Sequence, residues 1–136
     1  MTVDISDSGN ERFQTTNLTF VAKVVAAILK NPAQALNKYI TIASFNISQM
    51  EILELAEQIS GKEWTVKSCK VDDVQRVAEK ELAGGNFDAA FYPLLHGRLF
   101  RDGADLALQP EQNFAQKVLG FSEEDPVDVI KAWLEN

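Results

Sequence analysis

The chain has 136 residues, 46% hydrophobic and 24% charged, with a formal net charge of −7 and a single cysteine. That composition builds a real core, and it excludes both a disordered tail and a disulfide-stapled scaffold. The negative balance is not offset locally, since Lys67 and Lys70 are followed at once by Asp72 and Asp73, so no nucleic-acid partner is expected.

In chain order, the start (MTVDISDSGN) has neither a basic opening nor an apolar run, so it predicts no secretory signal. Residues 2–5 alternate and predict a short strand, ended by the turn residues Ser6, Asp7, Ser8, Gly9 and Asn10. Thr16 or Asn17 can cap a helix in which Leu18, Val21, Val24, Val25, Ile28 and Leu29 recur at helical spacing, with Asn31-Pro32 closing it. Its apolar stretch, residues 20–29, is interrupted by Lys23 and is too short to span a bilayer, so no membrane partner is expected. Residues 38–43 (KYITIA) are rich in β-branched side chains and predict a strand, with Tyr39, Thr41 and Ala43 on one face. Ser48 and Glu51 form a capping box opening a helix with Ile52, Leu55, Ala56 and Ile59 inward and Gly61 as its stop.

Residues 63–70 (EWTVKSCK) predict a strand with Trp64, Val66 and Ser68 on one face. Asp72 or Asp73 is placed to cap the next helix, whose stripe is Val74, Val77, Ala78 and Leu82 and whose end is Gly84-Gly85. Residues 87–100 predict a helix disturbed near Pro93, and residues 111–119 another, stopped by Gly120. Pro126 suits the first position of a last helix over residues 127–134, preceded by carboxylates that its dipole favours. With no repeat and no linker, the expectation is one domain, residues 1–136. Its class is α+β (mixed α/β), a small sheet of two or three strands packed with about six helices.

One polar constellation stands out. Asp88, Tyr92 and His96 recur at i, i+4 and i+8, which puts them along one face of an unbroken helix. A histidine one turn from a phenol is acid–base equipment near neutral pH. The competing reading is a half-exposed polar stripe opposite Phe87, Phe91, Leu94 and Leu95. Phe91, Phe100 and Trp64 are of a kind more often found in a core, but are candidates to line an apolar pocket, and Arg101 is a candidate contact for an anionic group. Arg98 and Asp102 have the spacing of a surface pair. Cys69 reads as a small strand residue, because Asp72 and Asp73 disfavour a thiolate. Scattered carboxylates and one histidine have no metal-ligand spacing, so no metal is expected. Cys69 cannot form an internal disulfide, which suits the cytoplasm.

Thr15-Thr16-Asn17, VAKVVAAILKNP, NKYITIASFNISQMEILELAEQISGKEWTV, LFRDGADL and the closing LGFSEED…VIKAWL together resemble the C-terminal, substrate-side half of NmrA-like proteins. These are the isoflavone-reductase-like branch of the atypical short-chain dehydrogenases, and the resemblance, diffuse in its motifs, covers nearly the whole chain. It implies a substrate-binding lobe. The family's glycine-rich turn for pyrophosphate has no counterpart here: no three of Gly9, Gly61, Gly84, Gly85, Gly97, Gly103 and Gly120 have that spacing. Tyr39 and Tyr92 are followed four residues on by Ala43 and His96, so there is no Tyr-x-x-x-Lys pair either.

The expectation is therefore a cofactor-independent small-molecule enzyme of isomerase, cyclase, dehydratase or pericyclase type, with no bound cofactor. His96 serves as acid or base, assisted by Tyr92 and Asp88, on a small apolar or polycyclic substrate of the kind met in fungal secondary metabolism. The alternatives are a non-catalytic binding or regulatory NmrA-like module and a truncated remnant of an NADPH-dependent reductase. The resemblance implies that the strand at 38–43 has lost its sheet neighbours and has an open edge, and the helix at 18–29 is apolar on more than one side. A homodimer burying one or both is therefore expected, against a rearranged monomer with residues 2–5 folded onto that edge.

Overall fold

Ser48 and Glu51 cap each other as their spacing predicts. The Glu51 backbone N–H donates to Ser48 Oγ at 3.2 Å and the Ser48 N–H to Glu51 Oε2 at 2.8 Å. Helix α2 starts there and runs over Gln49–Ser60, ending at Gly61, whose φ of 66° is left-handed. The structure is a computed structural model and describes residues 1–135. In chain order the elements are β1 (Thr2–Ser6), β2 (Phe13–Thr15), α1 (Leu18–Lys30), β3 (Phe45–Ile47), α2, β4 (Thr65–Cys69), α3 (Val71–Ala83), α4 (Phe87–Leu99), α5 (Phe114–Lys117) and α6 (Pro126–Leu134). Among the described residues, six helices and two small sheets make the mixed α/β class that the pattern implies. The chain forms two compact units, each from two separated segments: Met1–Phe13 with Ser48–Leu106, and Gln14–Ile47 with Ala107 onward.

In the first unit β1 and β4 pair in parallel, from Thr2 opposite Thr65 to Ser6 opposite Cys69. Both strands therefore end at the same edge, and the chain turns out of each there. Asp7 makes the turn out of β1 in a left-handed conformation, its N–H donating to the Cys69 carbonyl at 2.9 Å. Its Oδ1 accepts the Val71 N–H at 3.0 Å and so caps α3. This corrects the expectation that Asp72 or Asp73 is the cap: both lie in the first turn of the helix, and the cap comes from the neighbouring strand. Gly9 is required nearby, because a Cβ there would sit 2.5 Å from Ile5 Cγ2. Helices α3 and α4 pack through small residues. Ala78, Ala90 and Gly97 are buried, and a Cβ on Gly97 would meet Val71 Cγ1 at 3.6 Å, an ordinary packing contact between the two helices. Helix α4 continues through Pro93.

In the second unit Phe20 and Val24 of α1 are buried with Ala115, and Ile28, Ile42, Leu119 and Phe121 close around them. Phe20 meets Phe121 edge-on at 5.9 Å between ring centroids. The inward stripe of α1 thus runs Phe20–Val24–Ile28. Leu18 and Leu29, read as part of it, are 84% and 74% exposed. Residues 38–43 are not a strand. Their carbonyls are used singly: Thr41 accepts the Phe114 N–H at 2.9 Å, Ile42 accepts from Thr16 Oγ1 at 3.2 Å, and Ala43 accepts from Asn113 Nδ2 at 2.8 Å. High β-propensity makes no strand where no strand lies alongside to complete the ladder. The strand is β3, a few residues on, paired with β2, which the pattern does not reveal. The helix expected at 111–119 is likewise divided. A 3-10 turn at Pro110–Gln112 precedes α5, and between them Asn113 is extended, accepting the Ala115 N–H on its side chain at 3.2 Å. Asp125 caps α6 through the Val127 N–H at 2.9 Å, with Pro126 at the first helical position as read.

Candidate active site at the ends of the parallel strands

The parallel register brings Ser6 and Cys69 side by side at the carboxyl ends of β1 and β4, and α4 delivers His96 to the same place. Ser6 Oγ lies 3.2 Å from His96 Nε2 and 3.2 Å from Cys69 Sγ. Ser6 is fully buried, whereas Cys69 and His96 are half-buried. Phe100 packs edge-on against the imidazole at 4.8 Å and is itself held by Phe13 at 5.1 Å. His96 Nδ1 is buried without a hydrogen-bond partner. Burial pushes the imidazole pKa below its ordinary value and so favours the neutral ring, and the Asp4 carboxylate partly opposes this. A neutral imidazole beside a hydroxyl and a thiol can take up a proton or return one.

The three members of the helical stripe have different surroundings. His96 is turned in against Ser6, while Asp88 is exposed and Tyr92 is 76% exposed, its ring edge-on to Phe91 at 5.6 Å. Phe91 is itself largely exposed, and Phe100 supports the histidine. Trp64 is half-buried, with its backbone N–H donating to Glu57 Oε1 at 2.7 Å.

A half-open cleft of about 380 Å³ lies along α3 and α4, lined by Gln75, Pro93, Leu94, Gly97, Arg98 and Arg101 among others. Arg101 is thus the sequence-read contact residue found in its wall. Its guanidinium donates to Asp72 Oδ1 at 2.8 Å and to Gln75 Oε1 at 2.7 Å, and the Arg101 hydrogen bond holds the Asp72 carboxyl below its usual range. Arg98 does not pair with Asp102. The Asp102 carboxylate accepts instead from Ser8, at 2.6 Å from Oγ and 3.3 Å from the backbone N–H, which leaves the Arg98 guanidinium at the cleft wall. Among the described residues, no group of three or more His, Cys, Asp or Glu is placed to hold a metal ion, and no helix is long and apolar enough to cross a membrane.

Ser6 and Cys69 were not singled out by sequence pattern: one sits in a run of turn residues, the other on a strand of ordinary composition. The signal that finds them is topological. Ligand sites in parallel sheets collect at the carboxyl ends of the strands, and only the pairing of β1 with β4 shows that these residues occupy such ends.

These elements define a mixed α/β fold with a polar cluster at the ends of two parallel strands. No family model matches the chain. Oxidoreductase poxI of Penicillium oxalicum is 26% identical over 81 residues, which is 60% of this chain and 26% of that protein. The pinoresinol reductase AtPrR2 with NADP+ and (+)pinoresinol aligns with a TM-score of 0.72 at 18% identity, over 97% of this chain and 42% of that one. Its apo form aligns with a TM-score of 0.65 at 19% identity, over 97% and 43%. The chain therefore shares its fold with part of AtPrR2 and is distantly similar to a fungal oxidoreductase. It spans about a quarter of the curated relative and less than half of the solved structures.

Proposed function

We propose that this chain is the substrate-side lobe of an isoflavone-reductase-like fold, acting on a small apolar or polycyclic molecule by acid–base chemistry. The reaction is of isomerase, cyclase, dehydratase or pericyclase type, and these residues hold no nicotinamide. The observation that carries the reading is the hydrogen bond between His96 and Ser6 at the strand ends, one residue along α4 from Gly97 in the cleft wall. Leu94 and Pro93 give the cleft an apolar side, and Arg98 and Arg101 give it two cations that can orient a carbonyl or carboxylate. The distant likeness to the fungal oxidoreductase poxI supports a small-molecule substrate by analogy only.

A native mass spectrum of freshly purified protein should show a retained small molecule, displaced when Arg98 and Arg101 are both changed to Ala. Titration calorimetry with NADPH should show no micromolar binding, because the glycine turn that cradles pyrophosphate is not in this sequence. Micromolar NADPH binding would overturn the cofactor-independent reading.

The exposure of Phe87, Phe91 and Tyr92 on α4 favours a second reading, a non-catalytic binding module that uses this helix as a partner surface. No retained molecule, with full solubility restored by polar substitution on α4, would favour it. Assembly remains part of the proposal. The exposed Leu18, Val25 and Leu29 of α1 support a two-fold homodimer through that helix, while residues 38–43 no longer contribute an open strand edge. Light scattering should give twice the monomer mass at micromolar concentration, and a monomer mass for the Leu18→Lys, Leu29→Lys double variant.

A further inference from the structure

We propose that Cys69 is a nucleophile and that His96 is its general base acting through the hydroxyl of Ser6. The inference rests on the acid–base role given to His96 above, and it accounts for a difficulty in that role. Neither imidazole nitrogen is open to a ligand: Nε2 is engaged by Ser6, and Nδ1 is buried. Of the two half-buried members, Cys69 supplies a thiol, and Ser6 stands between it and the imidazole at 3.2 Å from each. A hydroxyl donates one hydrogen bond while accepting another, so Ser6 can complete a chain in which Cys69 S–H donates to Oγ and the Ser6 O–H donates to Nε2. That direction gives the better acceptor, the imidazole nitrogen, the better donor. The opposite direction would spend the hydroxyl proton on a thiol sulfur, which accepts weakly. Because Ser6 is fully buried, the relay is built from the protein itself.

The resting cluster is neutral. A proton arriving at Nε2 would create an imidazolium whose Nδ1–H has no acceptor, so no thiolate–imidazolium pair forms in advance. The proton moves only as sulfur attacks. The substrate class this fits is an α,β-unsaturated carbonyl, a soft electrophile whose addition needs no external reagent. The S–C bond forms as the C=C π bond shifts to the carbonyl side. The thiol proton passes to Ser6 Oγ as the Ser6 proton passes to His96 Nε2. Rotation about the new single bond, loss of the thiol and return of both protons give the isomerised alkene, with no net oxidation or reduction.

The test is alkylation of the folded chain by iodoacetamide, in which the S–C bond forms as iodide leaves. Cys69 is the chain's one cysteine, so the rate reports it alone. Wild type should react roughly tenfold or more faster than Ser6→Ala and than His96→Gln, which keeps a hydrogen-bonding side chain and removes the base. Nitrogen-15 NMR should show the His96 ring in the Nδ1–H tautomer, with circular dichroism confirming that both variants fold. Equal or faster alkylation in either folded variant, or an Nε2–H tautomer, would overturn the relay. Neither measurement uses a natural substrate, so failure here leaves the cleft's ligand to the mass spectrum, and a retained ligand beside an inert Cys69 removes this inference alone.

Discussion

In the unit formed by residues 14–47 and 107 onward, buried polar side chains are paired with the backbone. Ser44 Oγ accepts the Asn17 N–H at 3.0 Å, and Asn113 donates to the Ala43 carbonyl while accepting the Ala115 N–H. In the other unit, buried Ser6 meets two further side chains, and the cluster leaves one imidazole nitrogen without a partner. The first arrangement has the form of a structural joint: each polar atom satisfies a segment that would otherwise be an irregular loop. The second has the form of a candidate site, since a hydroxyl, a thiol and an imidazole in contact can pass a proton and one ring nitrogen is left unused. Burial alone does not separate structural from functional polar residues. The identity of the partner does.

This contrast can be broken by mutation. The largest expected effect is Phe20→Ala, about 3–5 kcal/mol in urea denaturation, because the ring fills the centre of the second unit's core. A loss under 1 kcal/mol would mean that this unit is not held by that core. Next comes Asn113→Ala, about 1–3 kcal/mol, since it orphans a buried carbonyl and a buried N–H. Asp7→Ala should cost about 1 kcal/mol through the lost cap of α3, with faster amide exchange in its first turn as the local readout. Ser6→Ala should cost less than Asn113→Ala, and the reverse order would assign Ser6 to the structural class.

The smallest expected effect is a pH slope. The folded-state pKa of His96 is lowered by burial, so below its ordinary value near 6.5 the unfolded chain binds the proton first. The histidine's contribution is therefore complete above that value and is lost as pH falls through the folded pKa, with Asp4 moderating the loss. Urea midpoints between pH 8 and pH 5 should fall more steeply for wild type than for His96→Gln. Parallel curves would mean that the ring is not desolvated.

Local chemistry was readable from the residues themselves. The Ser48–Glu51 box, the Gly61 stop and the Asp125–Pro126 start of α6 are settled within a few residues, and each appears where the spacing places it. So is the mixed class, because helical and strand periods alternate along the chain. What required a distant partner was not readable. The β-branched run at 38–43 lacks a neighbouring strand, while Phe13–Thr15, with no strong period, becomes β2 because β3 lies alongside it. The cap of α3 comes from Asp7, 64 residues away.

The site divides along the same line. Sequence alone determined that His96 is the chain's one imidazole, that Arg101 follows the helix carrying it, and that no pyrophosphate-binding glycine turn is among these residues. Tertiary structure decided that His96 meets Ser6, and Ser6 meets Cys69, at the strand ends, while Tyr92 and Asp88 stay at the surface. The physical reason is reach. Helical spacing puts side chains on a common face but says nothing of what that face meets, and the parallel register of β1 and β4 brings together a serine and a cysteine 63 residues apart.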